Sequence, residues 1–105
     1  MKKIIKEELV KNLENNQTFV VKFEADWCGP CKMMTHTFNQ IGEELQESYP
    51  NVGSYFFNID NDVEYAKSFS IRGVPTMIAF KNGKEVSRKV GLLGEQQIKE
   101  FYSAL

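Results

Sequence analysis

The chain is poor in the residues that build metal centres and disulfide frameworks. It contains only one histidine, His36, and two cysteines among 105 residues. Structural zinc is bound tetrahedrally, so two thiols and one imidazole leave a position unfilled unless two chains share the site. A cysteine pair without a secretion signal argues against a disulfide framework and for catalysis or metal binding, of which metal is the weaker option. We therefore expect no bound metal.

Long apolar runs and an excess of charge of one sign are also lacking. No segment approaches the roughly 20 apolar residues that cross a bilayer, and charged residues interrupt Met1 to Glu8 too early for a signal peptide. The 13 basic and 14 acidic residues give a formal net charge of −1, which favours neither nucleic acid nor a membrane as partner. We expect a cytoplasmic monomer. The length and the 42% hydrophobic content predict a single domain, residues 1–105.

The two cysteines, Cys28 and Cys31, form a Cys-x-x-Cys pair between a predicted strand and a predicted long helix. Thiols at this spacing close into a disulfide and reopen, which is reversible two-electron chemistry. Free backbone N–H groups and the dipole at a helix N-terminus stabilise a thiolate. Cys28 stands at that position, and Cys31 lies inside the first turn. We predict that Cys28 is the nucleophile and Cys31 the resolving thiol.

The hydrophobic pattern along the chain predicts an α/β fold. Two strands joined by the long helix should be parallel, and Asn82-Gly83 predicts a hairpin between the last two strands. In the long helix, the spacing of Met34, Phe38, Ile41 and Leu45 predicts a core-facing stripe. Strands are predicted at residues 3–5, at the edge of the sheet, and at 18–23, 52–59, 74–80 and 85–90. Helices are predicted at residues 9–13, on the surface, at 31–49, the long helix, at 63–69, a short helix, and at 95–105, the closing helix.

Motifs spread over almost the entire chain resemble those of thioredoxins. They are Trp-Cys-Gly-Pro-Cys at 27–31, Asn-Ile-Asp at 58–60, Gly-Val-Pro-Thr at 73–76, Phe-Lys-Asn-Gly at 80–83 and Val-Gly at 90–91. A lone Cys-x-x-Cys pair is only moderately specific, whereas the first and third motifs at this separation are highly specific. The resemblance implies the thioredoxin fold, a central mixed sheet of four or five strands flanked by about four helices.

The resemblance also implies a thiol-disulfide oxidoreductase that reduces protein disulfides and maintains cell redox homeostasis. In the family, the residue matching Cys28 attacks a substrate disulfide and the residue matching Cys31 resolves the mixed disulfide. A thioredoxin reductase then restores the dithiol with electrons from NADPH. The expected partners are therefore this reductase and disulfide-containing substrate proteins, and no bound cofactor is expected.

A substrate-docking rim around the thiols is a further implication of the resemblance. Pro75 would follow a cis peptide bond beside the thiols, while the backbone of Val74 pairs with an extended substrate segment. Each rim residue also has a purely structural interpretation, such as a glycine that permits a turn or a tryptophan that packs on the sheet. Their joint fit to one site favours docking. The rim would comprise Trp27, Gly29, Pro30, Gly73, Val74, Pro75 and Gly91.

The chain departs from the family pattern at a position that should face the resolving thiol. Thioredoxins usually have a buried aspartate where this chain has Lys22, and the lysine that accompanies it is matched by Phe56. Glu24 stands where a tryptophan is common, and His36, a predicted surface or boundary residue, stands where a proline kinks the helix. Because side chains alternate along a strand, Lys22 and Glu24 lie on one face and can pair.

Lys22 has three interpretations at this stage. Its stem packs in the core while the ammonium reaches Glu24 or water. Alternatively, it stays charged near Cys31, favours thiolate over disulfide and makes the pair a weaker reductant. In the third interpretation, burial neutralises it and it replaces the aspartate as a base. In the second and third, Lys22 and Glu24 tune the thiols.

Two other functions remain open for a chain with these motifs. A thioredoxin-fold oxidase or isomerase uses the same cysteine pair, but the absence of an export signal argues against it. A non-redox binding module, such as a processivity subunit, would use the fold without its thiols. The presence of both cysteines argues against this second alternative.

Overall fold

The computed structural model describes residues 1–105 and contains five strands and four α-helices. The strands form one mixed sheet in the order β1-β3-β2-β4-β5. This arrangement confirms the predicted fold and gives the larger of the two expected strand numbers. The strands are β1 (Lys2–Lys3), β2 (Phe19–Glu24), β3 (Gly53–Asn58), β4 (Thr76–Lys81) and β5 (Lys84–Val90), and the helices are α1 (Lys6–Glu14), α2 (Gly29–Ser48), α3 (Val63–Ser68) and α4 (Glu95–Ser103).

Strand β2 lies at the centre of the sheet, parallel to β3 and antiparallel to β4. Its side chains alternate between two apolar clusters, as the period of a strand requires. Val20 packs with the buried faces of α2 and α4, whereas Phe19, Val21 and Phe23 pack with residues of α1, α3 and β4. Because both of its faces are buried, β2 fixes the position of the segment that follows its carboxyl end, which contains Cys28 and Cys31.

Helix α2 follows β2 and begins at Gly29, which puts Cys28 at its N-terminus and Cys31 in its first turn, as predicted. Cys28 is its N-cap residue and Pro30 lies in its first turn, where a missing N–H costs nothing. The predicted apolar stripe is confirmed, since Met34, Phe38, Ile41 and Leu45 are all buried in the cluster shared with α4. None of the helices, not even the 20-residue α2, combines the length and the apolar character needed to cross a membrane.

Three local features differ from the predicted pattern. A 3-10 turn at Ile59–Asn61 precedes α3, and Asp62 caps that helix by accepting a hydrogen bond from the Tyr65 N–H at 3.0 Å. The edge strand, β1, lies at Lys2–Lys3 and not at residues 3–5. Strand β4 begins at Thr76 rather than residue 74, because Pro75 has no N–H to donate to a neighbouring strand.

The turn between β4 and β5 confirms the hairpin predicted from Asn82-Gly83. Both residues have positive φ, 54° and 77°, as a type I′ turn requires. Gly83 also donates its N–H to the Gln17 carbonyl at 2.9 Å, which links the hairpin to the segment between α1 and β2. A Cβ at Gly83 would lie 2.5 Å from the Leu13 carbonyl oxygen. Glycine is therefore required here by both conformation and space.

Replacing this glycine should destabilise the protein without touching the cysteines. Gly83→Ala should lower the free energy of unfolding by about 1–3 kcal/mol, because the left-handed conformation and the close backbone both oppose a methyl group. Gly42→Ala is the matched control: Gly42 lies inside α2 with open space around a Cβ, so we expect a gain of about 0.5–1 kcal/mol. Urea denaturation of both variants measures this, and equal effects at the two positions would contradict it.

Candidate active site

Cys28 and Cys31 are joined by a disulfide that spans the start of α2. Their Cα atoms are 5.3 Å apart, and the Cys28 Sγ accepts a hydrogen bond from the Cys31 backbone N–H at 3.1 Å. Only 4% of Cys28 and 2% of Cys31 is exposed. The N-cap position gives Cys28 the orphan N–H groups that stabilise a thiolate. The site therefore favours the anion on the sulfur that was predicted to be the nucleophile.

An apolar shell surrounds the disulfide. Ala25 is buried with the two cysteines, and Ile59 and Val74 pack against this group from the chain segments that follow β3 and precede β4. Val74 is followed by a cis peptide bond to Pro75, which is itself buried. The structure thus brings the Gly-Val-Pro-Thr motif to the Cys-x-x-Cys motif, although they are more than forty positions apart in the chain.

The backbone of residues 73–76, beside the thiols, is hydrogen-bonded within the protein at Gly73 and Pro75 but not at Val74. The Pro75 carbonyl accepts a hydrogen bond from the Gly91 N–H at 2.9 Å, and Gly91 has a φ of 97° that favours glycine. The Thr76 hydroxyl donates to the Gly73 carbonyl at 2.6 Å. In contrast, neither the N–H nor the C=O of Val74 makes a hydrogen bond within the protein.

Trp27 is the most exposed of the large apolar side chains around the site, with 69% of its surface accessible. Its Nε1–H donates to Asp60 Oδ2 at 3.0 Å, and the neighbouring Asp26 accepts from Asn58 Nδ2 at 3.3 Å. These bonds fasten the turn before α2 to the end of β3. Sequence reasoning noted Asn58 and Asp60 within a family motif but missed this role.

The other predicted rim residues are placed as follows. Gly29, Pro30 and Gly73 are exposed, and Gly91 is partly buried. Met33, 59% exposed in the second turn of α2, is a neighbouring apolar side chain that sequence reasoning did not select. Its position two residues after Cys31 was the signal that could have identified it.

Lys22 is buried on the face of β2 that α2 covers. Only 1% of it is exposed, and its Nζ lies 2.8 Å from Glu24 Oε1. The predicted pairing with Glu24 is therefore confirmed. The same Nζ donates to Thr35 Oγ1 at 2.7 Å and to the Cys31 carbonyl at 3.5 Å. Thr35, which sequence reasoning missed, lies one turn after Cys31 and donates its hydroxyl to that carbonyl at 3.1 Å.

His36 and the remaining potential ligands lie apart from this network. His36 is exposed on α2, as predicted, and its Nε2 lies 3.3 Å from Gln40 Nε2. Nowhere does the structure gather three or more histidine, cysteine, aspartate or glutamate side chains that could hold a metal ion.

A redox-active cysteine pair at the start of a helix, beside the end of a central strand, defines a thiol-disulfide oxidoreductase. The family model for thioredoxin matches residues 1–104. The chain belongs to the thioredoxin family. Fold, family and thiol-disulfide activity thus agree with the predictions made from the motifs.

Individual thioredoxins show the same similarity. The thioredoxin of Chlamydia pneumoniae is 37% identical over 105 residues, which cover 100% of this chain and 95% of the relative. That of Chlamydia trachomatis serovar D is 38% identical over 84 residues, or 80% of this chain and 78% of the relative. The oxidised mitochondrial thioredoxin 3 of Saccharomyces cerevisiae superposes with a TM-score of 0.83 at 25% identity, covering 100% of this chain and 95% of the yeast chain.

Proposed function

We propose that this protein is a general cytoplasmic protein-disulfide reductase that acts as a monomer in cell redox homeostasis and is itself reduced by a thioredoxin reductase with electrons from NADPH. The observation that carries the proposal is the placement of Cys28 at the N-cap of α2 with the unpaired backbone of Val74 beside it. One feature supplies the nucleophile. The other supplies a generic means of holding a substrate by its main chain.

The reaction proceeds in two exchanges. The Cys28 thiolate attacks one sulfur of a substrate disulfide, and the other substrate sulfur leaves as a thiolate with the electron pair of the broken bond. Cys31 then loses its proton, and its thiolate attacks the Cys28 sulfur and releases the second substrate thiolate. Each of the two substrate thiolates takes up a proton and becomes a thiol. The substrate gains two electrons, and the protein returns to the disulfide described above.

Docking is proposed to occur on the rim of Trp27, Gly29, Pro30, Gly73, Val74, Pro75 and Gly91. The exposure of the Trp27 ring and of Gly29, Pro30 and Gly73 supports this assignment. Strand-like pairing with Val74 uses main-chain groups, which every substrate has. Because the rim carries no charged side chain, it suits substrates of varied sequence.

A coupled assay tests the reductase proposal. With NADPH, a bacterial thioredoxin reductase and insulin as the disulfide probe, we expect catalytic NADPH oxidation that depends on this protein. Omitting insulin should limit the reaction to one NADPH for each protein disulfide. Absence of NADPH oxidation in both conditions would contradict the proposed electron source.

The reduction potential separates a reductase from an oxidase or isomerase. The protein is equilibrated in graded thiol-disulfide buffers, free thiols are trapped, and the mass shift is measured. We expect a potential in the reducing range typical of thioredoxins, around −270 mV. A potential of about −180 to −120 mV, typical of isomerases and dedicated oxidants, would instead indicate the alternative function.

A further inference from the structure

A buried ion pair contacts the backbone of the resolving cysteine, with Lys22 Nζ 3.5 Å from the Cys31 carbonyl. Lys22 and Glu24 project from the same face of β2, with Nζ and Oε1 2.8 Å apart. Exposed surface amounts to 1% for the lysine side chain and 16% for the glutamate. Burying a charged pair costs free energy that an apolar pair would not cost.

The two partners face the thiol site in different ways. Lys22 directs its hydrogen bonds towards α2, to Thr35 Oγ1 at 2.7 Å and the Cys31 carbonyl at 3.5 Å. Glu24 Oε1 is buried and makes no hydrogen bond, in spite of its closeness to Nζ, so the contact is one of charge and not of aligned donor and acceptor. The ammonium group thus contacts α2 chiefly through Thr35, with a longer contact to the Cys31 carbonyl, and it pairs with the Glu24 carboxylate on its own strand.

Few other charged groups lie near Lys22. Across the sheet, Lys22 is in register with Phe56 on β3 and Met77 on β4, which are uncharged. On α2 it contacts Thr35 and lies 5.8 Å from the centre of the Phe38 ring. The α-ammonium of Met1 is a second cation nearby: burial and then the charge of Lys22 lower its pKa. Glu24 is accordingly the anion that opposes the field of Lys22.

We propose that Lys22 and Glu24 are opposed positioning residues for the resolving thiol: the lysine favours the Cys31 thiolate, and the glutamate limits that effect. The proposal rests on the proposed disulfide-exchange function and adds to it the control of its redox equilibrium. In this proposal Lys22 acts by its charge, a role that the carboxylate oxygen of Glu24 at 2.8 Å from Nζ supports. In the resolving step the Cys31 proton passes to solvent, the new thiolate attacks Cys28, and the substrate thiolate leaves with the electron pair.

The effect on the redox equilibrium has a definite sign. A neighbouring cation lowers the free energy of a thiolate on Cys28 or Cys31 but leaves a neutral disulfide unaffected, so it stabilises the reduced form wherever one of the two sulfurs is ionised. Stabilising the reduced form makes the dithiol a weaker reductant. Lys22 therefore weakens the reductant and Glu24 strengthens it, although the two residues belong to one ion pair.

Opposite shifts in two variants test this inference. Lys22→Met should move the equilibrium constant with glutathione by about tenfold in the direction of a stronger reductant, and Glu24→Gln should move it in the other direction. The double variant should lie between them. In a Cys28→Ser background, alkylation of Cys31 should require higher pH after Lys22→Met and lower pH after Glu24→Gln. Shifts of the same sign, or no shift beyond twofold in either variant, would overturn the proposal.

Two controls separate charge from general loss of structure. Lys99→Met breaks the ion pair between α4 and Glu44 of α2, 3.0 Å long and more exposed, and should leave the equilibrium unchanged. If Lys22→Met does not fold, Glu24→Gln alone decides, and an unchanged or stronger reductant overturns the proposal. The glutathione equilibrium uses neither NADPH nor a reductase, so its outcome is independent of whether the proposed electron source is correct.

Discussion

Cys28→Ser should reduce the rate of disulfide reduction by at least about a thousandfold, because it removes the nucleophile of the first exchange. Cys31→Ser should abolish turnover as well, but at a later point: the first exchange proceeds and the mixed disulfide cannot be resolved. Insulin reduction with dithiothreitol as electron donor measures both losses and does not depend on the identity of the reductase.

The formation of a covalent adduct distinguishes the two variants more clearly than the loss of activity does. Mixed with a small disulfide peptide, Cys31→Ser should gain the mass of one peptide chain, and Cys28→Ser should not. Residue exposure does not distinguish the two cysteines, at 4% for Cys28 and 2% for Cys31. The distinction rests on the N-cap position of Cys28. A covalent adduct on Cys28→Ser instead would reverse the assigned roles, and undiminished partner binding without redox activity would favour a non-redox module.

Local sequence patterns predicted the parts of the fold that local physics determines. The apolar stripe of α2 follows from helical spacing, and the β4–β5 hairpin follows from the ability of Asn82 and Gly83 to adopt positive φ. The pairing of Lys22 with Glu24 follows from strand alternation. Each of these interactions is decided within a few residues of chain.

The features that sequence reasoning missed depend on how separate elements meet. Thr35 joins Lys22 to Cys31 only because α2 crosses β2 with its first two turns above the lysine. The bond from Trp27 to Asp60 requires the 3-10 turn after β3. The unpaired backbone of Val74 is evident only when every neighbouring strand has been placed. No spacing within one segment encodes these contacts.

The alternation of β2 predicts that stability and redox chemistry can be changed separately. Phe23 is adjacent to Lys22 but lies on the opposite face, where no part of it is exposed. Its ring centre is 5.6 Å from that of Phe57 and 5.4 Å from that of Phe69. Phe23→Ala should lower the free energy of unfolding by about 3–5 kcal/mol, because the lost ring leaves a cavity in a packed aromatic cluster. Chemical denaturation followed by circular dichroism measures the loss.

Phe23→Leu provides the decisive comparison with Lys22→Met. Leucine keeps most of the buried apolar volume, so we expect a smaller destabilisation than with alanine and a protein that folds fully. Its equilibrium constant with glutathione should equal that of the unaltered protein, since the substituted side chain faces away from α2 and the thiols. If Phe23→Leu shifts that constant as far as Lys22→Met does, the redox effect comes from general loosening of β2 and not from the charge on its other face.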